Sequence, residues 1–121
     1  MLVVLSFGIR MENKSKHPTL YSSLMNISTK TVSTIGTIRF KRNGLLHRSD
    51  GPAVEWADGT KEWWRNGEHH REDGPAIEWS DGTKEWYVNG KRHREDGPAI
   101  DCVDGTRDWY LNDEYIKPRS N

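Results

Sequence analysis

Three pairs of carboxylates recur along this chain: Glu55 with Glu62, Glu78 with Glu85, and Asp101 with Asp108. Two carboxylates at a fixed separation are what general acid and base catalysis needs, glycosidic cleavage above all. Three equal copies argue against that use, because an active site needs one special environment and a ladder supplies none. The pairs read instead as a charged strip that fixes strand register. His47, His70 and His93, each followed three residues later by Asp50, Asp73 or Asp96, raise metal ligation. Equivalent positions in a sheet with two or three strands per repeat lie about 10–14 Å apart. Zinc ligands must sit about 2.0–2.1 Å from one ion, so these histidines cannot converge on it. They read as loop-orienting groups, with each Asp accepting backbone N–H groups ahead of a Gly-Pro turn and the His70 ring packed against Trp63. Cys102 stands where Trp56 and Trp79 stand in the other copies, so it reads as a small core substitute and not as a nucleophile. The chain has neither a phosphate-cradling glycine loop nor a Ser/His/Asp pattern. These residues point away from an enzyme and imply no metal and no cofactor.

The elements that hold these residues come from a repeat of period 23. His47, His70 and His93 coincide, as do Gly-Pro-Ala at 51–53, 74–76 and 97–99, and Asp-Gly-Thr at 58–60, 81–83 and 104–106. Trp63, Trp86 and Trp109 coincide, as do Asn66, Asn89 and Asn112, and "GTIRFKRNG" from Gly36 matches "GTKEWWRNG" with Phe40 in the Trp place. A fixed period in the twenties marks a stacked repeat architecture. Asp58-Gly59 and Asn66-Gly67 are dipeptides preferred in two-residue hairpin turns, where both central residues need positive φ. "TKEWWR" between them reads as a strand, and so does "PAVEW", whose Pro52 stands where no ladder donor is required. "EHHRED" reads as a third short strand or as a loop. No segment carries a helical period, so the expectation is an all-β antiparallel meander of about three hairpin repeats forming an elongated sheet. Residues 36–117 form the repeat domain, 1–35 an N-terminal extension of further strands or flexible chain, and 118–121 a tail.

Composition fits one small domain. The chain has 121 residues, 33 % hydrophobic, with a mean hydropathy of -0.92, too polar for a thick core. Six Trp and four Tyr carry much of the apolar content, so burial rests on a few large rings. One cysteine excludes an internal disulfide and suits a reducing, cytoplasmic setting. Residues 1–50 hold eight Lys and Arg against Glu12 and Asp50, about +6, which leaves about −6 for the rest of a chain of zero net charge. "MLVVLSFGIR" is too short to span a bilayer and makes a poor signal peptide, and Met11 is as good a start as Met1.

The 23-residue unit with an aromatic strand, "NGKRH" at 89–93 and "DGTK" resembles the MORN repeat and its variants. The "HREDGPA" segments are similar to those of MORN-variant proteins that recur in phages and large DNA viruses. The alternating glycines of a typical MORN strand are missing, and the loop from Asn-Gly to the next Asp-Gly is longer. The resemblance covers residues 36–117; it implies stacked β-hairpins and a binding or scaffolding role, and no catalytic residues.

With two-residue turns, Val54, Trp56 and Trp63 share one face, repeated as Ile77, Trp79, Trp86 and as Ile100, Cys102, Trp109. This is the expected core side. The other face carries Glu55 opposite Glu62, Glu78 opposite Glu85 and Asp101 opposite Asp108, with Arg71, Arg94 and Lys117 as compensating bases opposite Glu62, Glu85 and Asp108. Trp64, Tyr87 and Tyr110 line up along that strip, one per repeat. Aligned aromatics among charges suit a protein interface, so the binding residues are expected to be Trp64, Tyr87, Tyr110, Glu62, Arg71, Glu85 and Arg94. The expected function is non-enzymatic binding of a protein partner, as a phage- or bacterium-encoded inhibitor or adaptor, with a homodimer through a sheet face as one way to cover the apolar side. A small-ligand or nucleic-acid binder using the basic arm and the aromatic row is the alternative, nucleic acid being the weaker of the two.

Overall fold

The computed structural model describes residues 26–116. Fourteen strands run β1 (Ser28–Val32), β2 (Ile38–Arg42), β3 (Leu45–Leu46), β4 (Val54–Glu55), β5 (Lys61–Glu62), β6 (Trp64–Arg65), β7 (Glu68–His69), β8 (Ile77–Glu78), β9 (Lys84–Glu85), β10 (Tyr87–Val88), β11 (Lys91–Arg92), β12 (Ile100–Asp101), β13 (Arg107–Leu111) and β14 (Glu114–Ile116). All pairings are antiparallel, in a ten-stranded sheet ordered β1-β2-β4-β5-β8-β9-β12-β13-β14 with β3 beside β2, and the hairpins β6–β7 and β10–β11. The chain is an all-β meander. β1 lies within the sequence's N-terminal extension and pairs along the whole of β2.

Each repeat contains one outgoing and one returning strand. The outgoing strand, β5 and β6, changes partner at Trp63, whose N–H bonds the Ala76 carbonyl and whose own carbonyl accepts the His70 N–H. Both ends of the segment from His70 to Ala76 therefore face one residue, and Arg71 to Pro75 bulge out between them, with the Arg71 N–H bonding the Tyr87 carbonyl of the next repeat. Phe40 with His47 and Ala53, and Trp86 with His93 and Ala99, repeat this arrangement. "HREDGPA" is thus a built-in excursion in the returning strand. It explains why neither a plain strand nor a plain loop describes "EHHRED".

The two Gly turns differ, which corrects the expected register. Asn66 and Gly67 have φ of 49° and 83°, a two-residue turn with Trp64 opposite His69 and Arg65 opposite Glu68. At Asp58-Gly59 the Trp56 N–H bonds the Thr60 carbonyl and the Gly59 N–H bonds the Trp56 carbonyl, a three-residue loop with Gly59 at φ 97°. Asp58 favours that loop because its Oδ1 accepts the Thr60 N–H at 2.9 Å, as Asp81 and Asp104 do for Thr83 and Thr106. One extra loop residue shifts the pairing by one and turns the outgoing strand over. Glu55 then faces Lys61 and Val54 faces Glu62, with the same shift in the next repeats. The opposed carboxylates expected from the sequence do not occur. Across β4, β5, β8, β9, β12 and β13 runs the row Glu55, Lys61, Glu78, Lys84, Asp101, Arg107, alternating in sign at every step. Trp63 shares the face of Ala53 and Glu55 instead of that of Val54.

The core is a thin spine. Ala53, Ala76 and Ala99 are fully buried, beside Val54, Ile77, Thr37, Thr60 and His70. Trp56 and Trp79, expected in the core, are 38 % and 43 % exposed. Junctions between repeats use polar links as well as strands. The Oγ1 atoms of Thr60 and Thr83 accept the N–H groups of Ser80 and Val103, and Nδ1 of His47, His70 and His93 accepts those of Asn66, Asn89 and Asn112 at 2.9–3.0 Å. Each histidine thus ties its repeat to the next turn. Asp73 serves Arg71 Nε, at 3.1 Å, and not a backbone N–H as expected.

Candidate interaction face

Most positions shared by the repeats are committed to architecture, which isolates those that are not. The Arg71 guanidinium lies 3.8 Å above the Trp63 ring, and its Nη1 donates to the Pro75 carbonyl and to Glu78, each at 3.0 Å. Arg48 on Phe40 and Arg94 on Trp86 stack in the same way, at 3.9 and 3.8 Å, and both bind the carbonyl of their own repeat's proline. A Cβ on Gly74 or Gly97 would come within 3.0 or 2.8 Å of the guanidinium carbon, so the glycine of "DGP" makes room for the arginine. Arg71 and Arg94, expected beside the aromatic row, are therefore spent on the bulge. They lie opposite neither Glu62 nor Glu85 in any ion pair.

The face bearing Val54 and Glu62 is different. Trp64 and His69 stack with centroids 3.8 Å apart, and His69 reaches the Tyr87 ring of the next repeat at 5.2 Å. Tyr87 faces Arg92 across its hairpin, Arg92 lies 4.1 Å over the Tyr110 ring, and Tyr110 meets Tyr115 edge-on at 5.5 Å. The result is one ladder, Trp64–His69–Tyr87–Arg92–Tyr110–Tyr115, across three repeats. The sequence supplied alternate rungs. His69, Arg92 and Tyr115 complete it, and the signal for them was their place opposite the aromatics across each Asn-Gly or Asn-Asp turn.

Beneath the ladder lie two carboxylates. Glu62 accepts from Trp56 Nε1, from Trp64 Nε1 at 2.9 Å and from His69 Nε2 at 3.0 Å. Burial alone would raise its pKa, yet the hydrogen bonds from His69, Trp56 and Trp64 outweigh burial and hold it below the ordinary carboxylate value. Glu85 accepts from Trp79 Nε1 at 2.7 Å and from Tyr87 Oη at 3.1 Å. Burial, then the Glu85 charge, push the Tyr87 phenol up to about 12, so it stays a donor. The rings are thus fixed in orientation by their own polar tips, while Trp56, Trp79 and Tyr115 (53 % exposed) present apolar surface to solvent.

Among the described residues no group of three or more His, Cys, Asp or Glu could hold a metal ion, and no helix is long and apolar enough to cross a membrane. Burial first, and then the charges of Asp104, Asp108, Glu85 and Asp101, raise the Cys102 thiol, which keeps it protonated. Lys117, expected opposite Asp108, lies outside the described residues. No protein-family model matches this chain, and neither a curated protein nor a solved structure does.

Proposed function

We propose that the protein is a non-enzymatic binding module of the MORN-variant type, and that its ladder face docks a protein partner. The observation that carries this reading is the division of labour between positions. The residues common to the repeats are occupied with bulge, turn and junction bonds, whereas the ladder positions vary in kind from Trp64 to Tyr87 and from His69 to Arg92 to Tyr115. Pre-oriented aromatic rings and an arginine are what interface hot spots are made of. The inhibitor or adaptor role in a phage or bacterial cytoplasm belongs to this proposal and rests on the resemblance of the "HREDGPA" segments.

The test uses a captured partner and two sets of variants. Trp79→Ala with Tyr115→Ala on the ladder face should weaken binding by about 30-fold or more, while Lys61→Ala with Lys84→Ala on the opposite face should leave it unchanged. Equal loss from both sets would sink this face. A captured nucleic acid with steep salt dependence would favour the alternative reading instead.

A further inference from the structure

The repeat provides an internal control for side chains that have lost a partner. In the second repeat the Glu72 carboxylate bridges Arg65 Nη2 at 3.5 Å and His70 Nε2 at 3.3 Å. In the third, Glu95 lies 3.4 Å from His93 Nε2, and the arginine is replaced by Val88. One period earlier the same three places hold Arg42, His47 and Ser49. Both positive or donor groups remain and the carboxylate is gone.

Two observations show that no other described residue takes the place of that carboxylate. Arg42 Nε is buried with no hydrogen-bond partner, and the one side-chain hydrogen bond that Arg42 makes among the described residues, at 3.2 Å, goes to the neutral Asn66 Oδ1. His47 Nδ1 accepts the Asn66 N–H, so the ring proton sits on Nε2, the atom that its counterparts direct to Glu72 and Glu95. Burial, then the charges of Arg42 and Arg65, hold the His47 pKa below its ordinary value against the opposing hydrogen bond to Asn66, and so favour the neutral ring with its Nε2 proton. Arg42, His47 and Ser49 all line the open groove of about 390 Å³ beside β1 and the larger groove of about 830 Å³ that continues past Trp63 and Trp64. The position is reachable, and the space beside it is larger than one small ion needs.

We infer that Arg42, His47 and Ser49 form an anion-binding site that takes the oxyanion of an external ligand where Glu72 places its own carboxylate one repeat later. The guanidinium supplies a planar fork, the imidazole an N–H and the serine a hydroxyl, a donor set for a phosphate or carboxylate group. The assignment does not depend on the docking proposal.

The experiment is a titration of the isotope-labelled full chain with inorganic phosphate and, separately, with acetate, at fixed ionic strength. It follows the Arg42 Nε–H and His47 ring resonances by NMR. Saturable shifts at these two residues, with none at His70 or His93, are expected. Saturation by phosphate alone identifies a phosphate-bearing ligand, and saturation by acetate as well a carboxylate-bearing one. Two variants copy sibling repeats and so keep the fold: Ser49→Glu, as at Glu72, should abolish the shifts by filling the site, and Arg42→Val, as at Val88, should weaken binding by about tenfold or more. No saturable shift with either anion, or shifts unchanged in Ser49→Glu, would overturn the assignment.

Discussion

Arg71 shows how one side chain can hold a five-residue excursion in place. Stacking on Trp63 and charge-assisted bonds to Asp73, Glu78 and the Pro75 carbonyl are all lost in Arg71→Ala, which should cost about 2–4 kcal/mol in urea unfolding. Arg71→Lys should recover less than half, because an ammonium has neither the plane nor the fork. The His47 link adds a pH dependence. His47 has a folded pKa below its ordinary 6.5, so the unfolded chain takes up the proton first. Its stabilisation is therefore full above about pH 6.5 and declines as pH falls toward the folded value. Glu62, also depressed, adds a second loss below its ordinary 4.5. Urea midpoints measured from pH 8 to pH 3 should show both phases, and His47→Gln should remove the first.

At the scale of elements, the three-residue Asp-Gly loop decides which charges meet. Lys84→Glu places a third acid between Glu78 and Asp101 and should destabilise by about 0.2–1 kcal/mol, less at high salt. Adding Glu78→Lys should restore part of the loss, which a double-mutant cycle would measure. The Asn-Gly turns were legible in the sequence because a two-residue turn with two positive φ values has few other solutions. The Asp-Gly turns misled because the Asp side chain, by capping Thr60, selects a longer loop from the same dipeptide. The stacked arginines were not legible at all, since only the bulge brings Arg71 back over Trp63.

Over the whole molecule, the links recur at fixed offsets of 19 and 20 residues, from His47 to Asn66 and from Thr60 to Ser80, so any repeat can follow any other. Removing residues 70–92 should leave a folded, shorter protein with the same β-sheet circular dichroism and a lower urea midpoint, as nearest-neighbour coupling requires. The last repeat departs from the pattern, with Asn112-Asp113 at positive φ in place of Asn-Gly and Ile116 in the histidine position. The period was legible in the sequence because it is written in residue identities. The face it serves was half legible, since Trp64, Tyr87 and Tyr110 stand out as a row whereas Arg92 and His69 gain meaning only beside them.

Because each junction is a short ladder of backbone bonds crossed by the chain twice per repeat, the array has a mechanical grain. Stretched between its ends, it loads these ladders one after another and not together, so it should yield at low force in a sawtooth. Each tooth releases 23 residues, a contour of about 76–83 Å, less the about 9–10 Å that two strands already span. A tether that gives way in equal, reversible increments behaves as a ruler, and the spacing of its steps would count the repeats directly.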